Sequence, residues 1–491
     1  MAEELLVRSG QYADSVALML VSRSVGELPG VQAALVAMAT ELNLQLLAGM
    51  GFTAPAGGSA NDLLIAVRAA DETALAAALE AAGRLLDAPR HQPDPAGSPE
   101  QPPRTVASAA AGGGGLAVIS VPGRHAFVEA MDALTAGCDV LLFSDNVPVE
   151  QEIALKDTAA ERGLLVMGPD CGTAVIGGIG LGFAHTVDAG PVGLVAASGT
   201  GAQQVLCLLD AAGVGVSAAL GVGGRDLSEQ VAGRSARTAL AMLDADPGTE
   251  LVLVISKPPA SAVAEQLREL AASLATPTSF ALLGQGQPDL TEATEQALAA
   301  LGRPVPDWPS WVQPAPASAV ASRPGALRGL FCGGTLCDEA MLIVAETLGE
   351  VRSNIPLRPD WALPHPLADV PQHWLVDFGD DALTHGRAHP MIDPSLRNQR
   401  LAQVLADPAT AVVLLDVVLG HGAHPDPAAE LLPLIESSPV PVVVGLIGAR
   451  RDPQDTEGTA HRLHAAGASV FLSNAAAARH AVSLVRTEES R

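Results

Sequence analysis

The sequence predicts an α/β protein of several domains, with a small ferredoxin-like module at its amino terminus and three further α/β units after it. Two observations support this prediction. Buried strand patterns alternate with helical patterns along most of the 491 residues, and several strands end in a glycine-rich turn that leads into a helix. Two segments rich in proline and small residues interrupt the alternation, which indicates boundaries between domains.

Composition narrows the expected partners and compartment. The formal net charge is −26 and no run of Lys or Arg interrupts it, which argues against nucleic acid and anionic membrane as partners. The five cysteines are scattered and odd in number, as is typical of reduced intracellular thiols, and no signal peptide or membrane-length apolar run is present. Cys332 and Cys337 lack a second ligand pair. We therefore expect a cytoplasmic protein without a metal site.

Residues 1–87 alternate as strand–helix–strand and then strand–helix, the pattern of a ferredoxin-like sandwich. The next segment, 88–114, has almost no large apolar residue and is predicted to be a flexible linker. The predicted elements of the module are strands at Leu5–Val7, Ala33–Met38 and Leu63–Val67, a helix capped by Asp14, and a helix from Asp71 through Leu86.

A parallel sheet is predicted over residues 115–188, where three strands alternate with helices. Its last strand runs into the hexapeptide from Gly168 to Thr173. This segment is either a simple turn or a loop that faces a ligand at the carboxyl end of the sheet, and Asp170 is its candidate polar residue.

The next unit, residues 189–304, contains the stretch around which the chain is organised. An apolar strand ends in Ser198, Gly199, Thr200 and Gly201, and a helical pattern follows. The first N–H groups of a helix lack partners inside it and carry partial positive charge, so this loop is predicted to bind phosphate or a carboxylate.

Two further segments of that unit are predicted to lie beside this loop. One βα unit later a second glycine-rich strand end follows, and Lys257 comes directly after the third strand. Loops at the carboxyl edge of a parallel sheet form a crevice in which ligands bind. The candidate residues of the second loop are Gly223, Gly224, Arg225 and Asp226.

Residues 305–325 contain several prolines and predict a second, stiffer linker before an α/β unit at 326–491. That unit opens like the preceding one, because a strand ends in Gly333, Gly334 and Thr335 and a helix follows. The two units therefore look like divergent copies of one plan. Placed face to face, they would present paired helix N-termini to one anion.

The segment from Asp377 to Gln399 concentrates histidines, acids and arginines in a proline-bounded loop and a helix start. Either it is a structural loop with Asp393 as an N-cap, or it is part of an active site that faces the Ser198–Gly201 loop. In the second case Arg397 holds a substrate carboxylate and His389 transfers a proton, because its ordinary pKa lies near neutrality. Asp393 then orients the loop, and Asn398 lines it.

These residues carry a resemblance to known families. Residues 116–304 resemble the alpha subunit of succinyl-CoA synthetase through Gly168–Gly172, Ser198–Thr200 and Gly221–Asp226. Residues 374–430 resemble the carboxy-terminal ligase domain of its beta subunit, through the Asp377–Gly379 strand end and the loop that contains Gly420 and Gly422. As a whole, including His389–Pro394 and Leu415–Val418, the chain resembles the FdrA family.

The resemblance implies a Rossmann-like, CoA-binding-type domain at 115–188 and two flavodoxin-like domains of the succinyl-CoA synthetase type at 189–304 and 326–491. It also implies a subunit of an oxamate carbamoyltransferase of allantoin breakdown, which converts oxalurate and phosphate into oxamate and carbamoyl phosphate. The implied partners are a small anionic substrate, phosphate and other protein subunits, with a homodimer inside a larger complex as one arrangement.

Departures from the synthetase indicate which chemistry is retained. No ATP-grasp domain is present, Gly284–Gln287 stands where the synthetase carries its phosphohistidine, and Ser256–Pro259 replaces the glutamate that orients that histidine. The 88–114 linker replaces the first CoA-binding loop. We therefore expect no phosphorylation by ATP and weak or no binding of CoA. Two alternatives stay open: an acyl-CoA ligase completed by a partner chain, and a non-catalytic scaffold with a vestigial anion site.

Overall fold

The computed structural model describes residues 2–11, 13, 15–26, 28–53, 55, 59, 61–87, 103, 105–110, 113–313, 325–385 and 387–485. Asp14 and most of the two predicted linkers lie outside the described residues. The chain forms two compact units. One comprises residues 1–102 with 384–388, and the other comprises 103–383 with 389–491.

The amino-terminal module is an antiparallel sheet of order β1-β3-β2, with helices between its strands. Its core contains Val25, Ile65 and Val67, and this arrangement confirms the ferredoxin-like prediction. Helix α2 was not predicted; the Thr40 hydroxyl caps it by accepting the Asn43 N–H. The elements are β1 (Ala2–Arg8), α1 (Ser15–Gly26), β2 (Val31–Met38), α2 (Glu41–Gly49), β3 (Leu63–Ala69) and α3 (Glu72–Asp87).

The second unit begins with a small parallel sheet of order β4-β5-β6. Val140 and Leu142 on its central strand pack against Ala126 and Leu134 of a helix whose small residues allow close contact. This sheet has the predicted Rossmann-like form. Its elements are α4 (Val106–Ala109), β4 (Leu116–Ile119), α5 (Gly123–Thr135), β5 (Asp139–Leu142), α6 (Val149–Glu161) and β6 (Val166–Met167).

The next sheet has the order β12-β11-β9-β10-β7-β8. The first four strands in this order are parallel, while the hairpin at residues 173–182 joins antiparallel to β10. This hairpin was not predicted, and its residues fall within the range 115–188 that the sequence predicts for the Rossmann-like domain. The elements are β7 (Thr173–Ile176), β8 (Ile179–Gly182), β9 (Ala189–Ala197), α7 (Gly199–Ala211), β10 (Val216–Gly221), α8 (Arg234–Asp244), β11 (Leu251–Ser256), α9 (Ser261–Ser273), β12 (Thr278–Leu282) and α10 (Leu290–Ala300).

The last sheet has the order β13-β19-β18-β17-β14-β16-β15 and is parallel except for its first strand. That strand, Ser310–Trp311, lies within the segment that the sequence predicts to be a linker. The elements are β13 (Ser310–Trp311), β14 (Ala326–Phe331), α11 (Gly334–Leu348), β15 (Val351–Ser353), a 3₁₀ turn (Pro359–Trp361), β16 (His373–Asp377), α12 (Asp381–Thr384), α13 (Ser395–Ala406), β17 (Thr410–Val418), α14 (Leu432–Glu436), β18 (Val442–Ile447), α15 (Thr456–Ala465), β19 (Ser469–Phe471) and α16 (Asn474–Ser483).

The two larger sheets share one strand order. When the antiparallel strands and the short edge strand β15 are left out, the first strand (β9 or β14) lies between the second (β10 or β16) and the third (β11 or β17) in each sheet, and these strands are parallel. This is the flavodoxin-like order, whose switch point opens a crevice at the carboxyl ends of the first and third strands. The predicted fold class is therefore confirmed.

Reciprocal side-chain contacts join the two flavodoxin-like sheets. Gln204 and Glu339 occupy the same position on α7 and α11, six residues after the N-cap residues Ser198 and Gly333. The Gln204 Oε1 accepts the first helical N–H of α16 at 2.9 Å, and the Glu339 Oε1 accepts that of α10 at 2.8 Å. Each helix thus caps the last helix of the other half, as expected of two copies packed about an approximate twofold axis.

None of the helices within the described ranges combines the length and the apolarity that crossing a bilayer requires.

Candidate functional site

The predicted anion loop of the first flavodoxin-like half is a helix start. Ser198 has extended backbone geometry, and its hydroxyl accepts the Gly201 N–H at 2.9 Å. This bond satisfies one of the N–H groups that α7 leaves unpaired at its start. The N–H groups of Gly199 and Thr200 have no acceptor inside the helix, and both residues reach the surface. They remain available to an anion.

The corresponding loop of the second half faces this helix start. The Ser198 and Thr335 hydroxyl oxygens are 2.6 Å apart and form a hydrogen bond, so the first turns of α7 and α11 meet. Close approach requires glycine at position 333, because a Cβ there would lie 2.9 Å from the Thr200 methyl group. The structure thus brings together the predicted anion-loop residues Ser198, Thr200, Gly333 and Thr335.

Gly334, at the start of α11, lies close to a lysine and an acid. A Cβ at this position would lie 3.0 Å from the Lys257 Nζ and 2.9 Å from the Asp377 Oδ2. Lys257 is half-buried, and within the described residues its ammonium group forms no ion pair of 4.0 Å or less. The predicted position of Lys257 at the crevice is therefore seen, and its charge is not consumed by a neighbour.

Asp377 at the end of β16 is the acid beside Gly334. Its Oδ1 accepts the Gly379 N–H at 2.8 Å, while no donor among the described residues bonds to Oδ2. Burial raises the pKa of Asp377 to about 7, against the lowering effects of the Gly379 hydrogen bond and Lys257. The carboxyl group is thus poised to exchange a proton near neutral pH.

Two more acids surround Lys257. Asp338 lies on the second turn of α11, and burial raises its pKa to about 6 although Lys257 lowers it. Asp170 is exposed as a residue, but its carboxyl group lies in crowded surroundings that raise its pKa to about 6, first through desolvation and then through Asp145 and Asp381. The sequence singled out Asp170 but missed Asp338, because nothing local distinguishes it from an ordinary helix acid.

His389 lies next to Asp377, although not in the chemical state that the sequence predicts. A Cβ on Gly379 would lie 2.7 Å from the His389 Nε2, and the Phe183 ring packs 5.7 Å from the imidazole. Burial, assisted by Arg397, lowers the pKa of His389 to about 4, so the expectation of titration near neutrality is wrong. The Met391 N–H donates to Nδ1 at 3.3 Å, which leaves the proton of the neutral ring on Nε2.

Arg397 does not face the crevice as a free carboxylate clamp. It is buried, and its Nη1 donates to the Asp416 backbone oxygen at 2.7 Å and to the Asp416 Oδ1 at 3.2 Å. The Asp416 carboxylate also accepts the N–H groups of Cys332 and Gly333. The Arg397 guanidinium therefore compensates the charge of the buried Asp416 carboxylate, which holds the loop before α11. Among the described residues, the Arg397 Nε has no hydrogen-bond partner.

A small cleft of about 10 Å³, which is room for about one water molecule, adjoins Arg397. Its lining is mostly apolar and consists of Cys332, Pro390, Met391, Pro394, Arg397, Val417, Val418, His424 and Pro427.

Within the described ranges, no hydrogen bond or ion pair joins the 389–398 segment to the Ser198–Gly201 loop directly. The two are connected through the residues that precede α11.

Asp393 and Asn398 have structural partners. The N-cap of α13 is Pro394 rather than Asp393, whose Oδ1 instead accepts the Ser395 N–H at 3.1 Å in the preceding turn. The N-cap of α13 therefore lies one residue after Asp393, which the sequence offered as the cap. Asn398 is buried, and its Nδ2 donates to Glu430 at 2.9 Å. Both side chains stabilise the start of α13.

The second glycine-rich loop packs against the Gly168–Pro169 turn. Gly223 has a positive φ, and a Cβ there would lie 2.6 Å from the Pro169 oxygen. Gly224 and Arg225 are exposed, and the Arg225 Nη2 donates to the Val147 oxygen and lies 2.9 Å from the Glu152 Oε2. The Arg225 side chain therefore connects the second glycine-rich loop to the segment that contains Val147 and Glu152.

Asp226, predicted to line the substrate loop, is fully buried. Its carboxylate receives the Lys156 ammonium at 2.8 Å and the N–H groups of Ser235 and Ala236. Lys156 also donates to Glu152 at 2.7 Å. The sequence missed this cluster, although one signal was present: the chain has only two lysines, Lys156 and Lys257.

Gly420 and Gly422 contact the segment that precedes β9. A Cβ on Gly420 would lie 2.7 Å from the Ala184 oxygen, and one on Gly422 would lie 3.1 Å from the Phe183 ring. The same contact buries His185, whose Nδ1 lies 2.6 Å from the Asp452 carboxylate. These glycines therefore lie where the two flavodoxin-like halves contact each other, and not beside Gly334.

Two family models match parts of the chain. Residues 1–102 match the model described as AllF, heavy metal-associated domain, and residues 330–484 match the CoA-ligase model.

Similar proteins extend these matches. The uncharacterized protein YahF of Escherichia coli (strain K12) is 40% identical over 461 residues, which cover 89% of this chain and 88% of YahF. The alpha subunit of ADP-forming succinate–CoA ligase of Aquifex aeolicus (strain VF5) is 30% identical over 146 residues, 28% of this chain and 47% of that subunit. The crystal structure of PH0766 from Pyrococcus horikoshii OT3 aligns with 75% of this chain and 83% of that chain, at 13% identity and a TM-score of 0.28.

Proposed function

Because the chain belongs to the family of Escherichia coli YahF, a family with a CoA-ligase-like domain, we propose that it is the subunit of a carbamoyltransferase in which phosphate attacks a carbamoyl group. The proposed reaction is of the oxamate carbamoyltransferase type found in allantoin breakdown. One observation carries the proposal: two helix starts meet at Gly334 beside Lys257, which forms no ion pair within the described residues.

This convergence supports capture of phosphate by a strongly acidic protein. The net charge of −26 repels an anion at long range, so binding has to come from local donors. The first N–H groups of α7 and α11, the hydroxyls of Ser198 and Thr335, and the Lys257 ammonium supply such donors. Each can hold a phosphate oxygen or the oxyanion that forms during attack on a carbonyl.

The proposed step balances without a nucleotide. An oxygen of hydrogen phosphate attacks the ureido carbonyl carbon of oxalurate, and the bond from that carbon to the oxamate nitrogen breaks. The phosphate proton passes to the departing nitrogen, which yields carbamoyl phosphate and oxamate. In this step His389 acts as a neutral donor through Nε2–H, since its lowered pKa leaves it uncharged at working pH.

The resemblance to succinyl-CoA synthetase supports the same geometry, since that enzyme uses its phosphate dock for attack on an acyl carbonyl. The relatives that are named as ligase subunits also support a role within an assembly of several chains. We therefore place this chain with partner subunits that complete the binding of oxalurate.

An acid–CoA ligase is the second candidate, favoured by the CoA-ligase match over residues 330–484. Two observations count against it. Gly284–Gln287 contains no histidine that could be phosphorylated, and the small parallel sheet β4-β5-β6 has three strands in the described residues. Calorimetric titration of the full chain with CoA separates the two candidates. We expect no heat of binding, and a micromolar dissociation constant would favour the ligase.

The direct test is an assay of the chain purified together with the products of its neighbouring genes. We expect phosphate-dependent formation of carbamoyl phosphate from oxalurate. Gly334→Ala should abolish it, because the new methyl group would press against the Asp377 carboxylate and the Lys257 ammonium group and displace them. Gly284→Ala has room for its methyl group and should retain the activity.

Full activity of the partner proteins without this chain would instead identify it as a scaffold. Wild-type activity of a folded Gly334→Ala protein would contradict the proposed position of the site.

A further inference from the structure

We propose that the cleft beside Arg397 binds one chloride ion, which accepts a hydrogen bond from the Arg397 Nε. The ion takes no part in the proposed carbamoyl transfer. Two independent observations meet at this place. The cleft has room for about one water molecule, and the described residues provide no acceptor for the Nε–H of the buried guanidinium.

The Arg397 guanidinium has a donor that the described residues do not use. Arg397 is 3% exposed, and its Nη1 donates to the backbone oxygen and to the Oδ1 of Asp416. The Nε has no partner of this kind. A buried charged donor without an acceptor lowers stability, because folding removes it from water and does not replace the lost bond. Since Arg397 also lines the cleft, a ligand in the cleft can supply the acceptor.

The start of α13 adds to the attraction for an anion. Its N-cap residue, Pro394, lines the cleft together with Arg397. The Ser395 N–H is bonded to the Asp393 Oδ1, whereas the N–H groups of Leu396 and Arg397 have no acceptor inside the helix. The first turn of this 12-residue helix therefore places partial positive charge beside the guanidinium.

The lining of the cleft favours an anion over a water molecule. No carboxylate or amide side chain is among the described residues that line it. The backbone oxygens of Met391 and Pro394 already accept N–H groups, at 2.7 and 2.8 Å. The His424 Nδ1 accepts the Asp426 N–H at 3.0 Å, so the proton of the neutral ring is on Nε2. A water molecule therefore finds few acceptors for its own hydrogens, whereas a halide ion needs only donors.

Size and nearby charge limit which anion binds and how tightly. A cleft of about 10 Å³ suits a monatomic ion and not phosphate. The Asp416 carboxylate shares the Arg397 charge, and the Glu430 Oε1 lies 3.9 Å from the His424 Nε2. Because these acids and the net charge of −26 oppose an anion, we expect a dissociation constant for chloride on the order of 10 mM.

Two valine variants of the full chain test the proposal. Val418→Ile and Val412→Ile each add one methylene group at a buried valine of β17, but only Val418 lines the cleft. The melting temperature of each protein is measured in sodium gluconate and in sodium chloride, both at about 0.3 M. General effects of the salts act equally on the wild type and on both variants, so the variants isolate the contribution of the cleft.

We expect the change from gluconate to chloride to raise the melting temperature of the wild type by about 2–4 °C more than that of Val418→Ile, because the added methylene group occupies the cleft. Val412→Ile should respond like the wild type. Bromide replaces chloride in a second measurement on wild-type crystals, in which an anomalous scattering peak should lie within hydrogen-bond distance of the Arg397 Nε.

Equal responses to chloride in all three proteins, with no bromide peak in the cleft, would overturn the proposal in favour of a bound water or a dry cleft. A bromide peak without a chloride response that Val418→Ile removes would mean an adventitious ion only, and would overturn it as well. If Val418→Ile does not fold, the bromide peak and the comparison of wild-type melting in chloride and in gluconate decide the matter.

Discussion

Each of the two lysines of this chain lies among acidic side chains. One lysine forms ion pairs, and within the described residues the other does not. Lys156 is fully buried and bonded to Glu152, to Asp226 and to a backbone oxygen. Lys257 stands among Asp377, Asp338 and Asp170 and forms no ion pair with them in the described residues. In the first cluster every charge has a partner, which links α6 to the loop before α8. In the second cluster the described residues provide no ion-pair partner for Lys257, as expected of a binding site.

The largest expected effect is on stability at the paired cluster. Lys156→Met leaves two buried carboxylates without their cation and should lower the free energy of unfolding by about 3–5 kcal/mol. Urea unfolding monitored by circular dichroism measures the change. A loss below about 1 kcal/mol would mean that Arg225 or solvent compensates the acids, and the contrast between the clusters would be weaker than proposed.

At the second cluster, Lys257→Met should weaken binding and leave folding unchanged. We expect phosphate affinity to fall about 10- to 30-fold with little change in melting temperature, because the lysine has no partner to lose. Protection of Lys257 from acetylation by added phosphate, followed by mass spectrometry, gives an independent reading in the wild type. Buried Lys156 serves as the internal control, since it should stay unmodified in both conditions.

Asp377→Asn should sharpen the comparison through its pH dependence. Burial raises the folded-state pKa of Asp377 to about 7 from an ordinary value of 3.8, so the stability from its protonated form is complete below about pH 4 and is lost as the pH rises to 7. Asn never ionises. The variant should therefore lose less stability than the wild type between pH 5 and 8, by up to about 2.6 kcal/mol.

Denaturant titrations at both pH values measure this difference for Asp377→Asn. An identical pH dependence in the variant and the wild type would show that Asp377 is solvated and carries no such cost.

The smallest expected effect concerns the contact between the two helix starts. Ser198→Ala removes the cap of the Gly201 N–H and the bond to Thr335, and should cost about 1–2 kcal/mol of stability with a few-fold loss of phosphate affinity. Thr200→Ser is the control, because it keeps a hydroxyl at the same turn and removes only the methyl group beside Gly333. Equal losses in both variants would mean that packing, and not hydrogen bonding, joins the helices.

Sequence reasoning located the loops of the site better than the chemistry of its side chains. It predicted the two strand–glycine–helix loops at Ser198 and Gly334 and the position of Lys257 at a strand end. For Arg397 it predicted a free carboxylate clamp, whereas the guanidinium is buried against Asp416. For His389 it assumed an ordinary pKa, whereas burial lowers that pKa to about 4.

The sequence by itself determined where strands end and helices begin, because small residues, hydroxyl caps and apolar periodicity act within a few neighbouring positions. Only the tertiary structure decided which charges pair. Asp226 meets a lysine 70 residues away, and Arg397 on α13 meets an acid on β17. Lys257 forms no ion pair in the part of the chain that the structure describes. Ion pairing and desolvation depend on distances and burial that arise when remote segments pack together, and no local pattern records them.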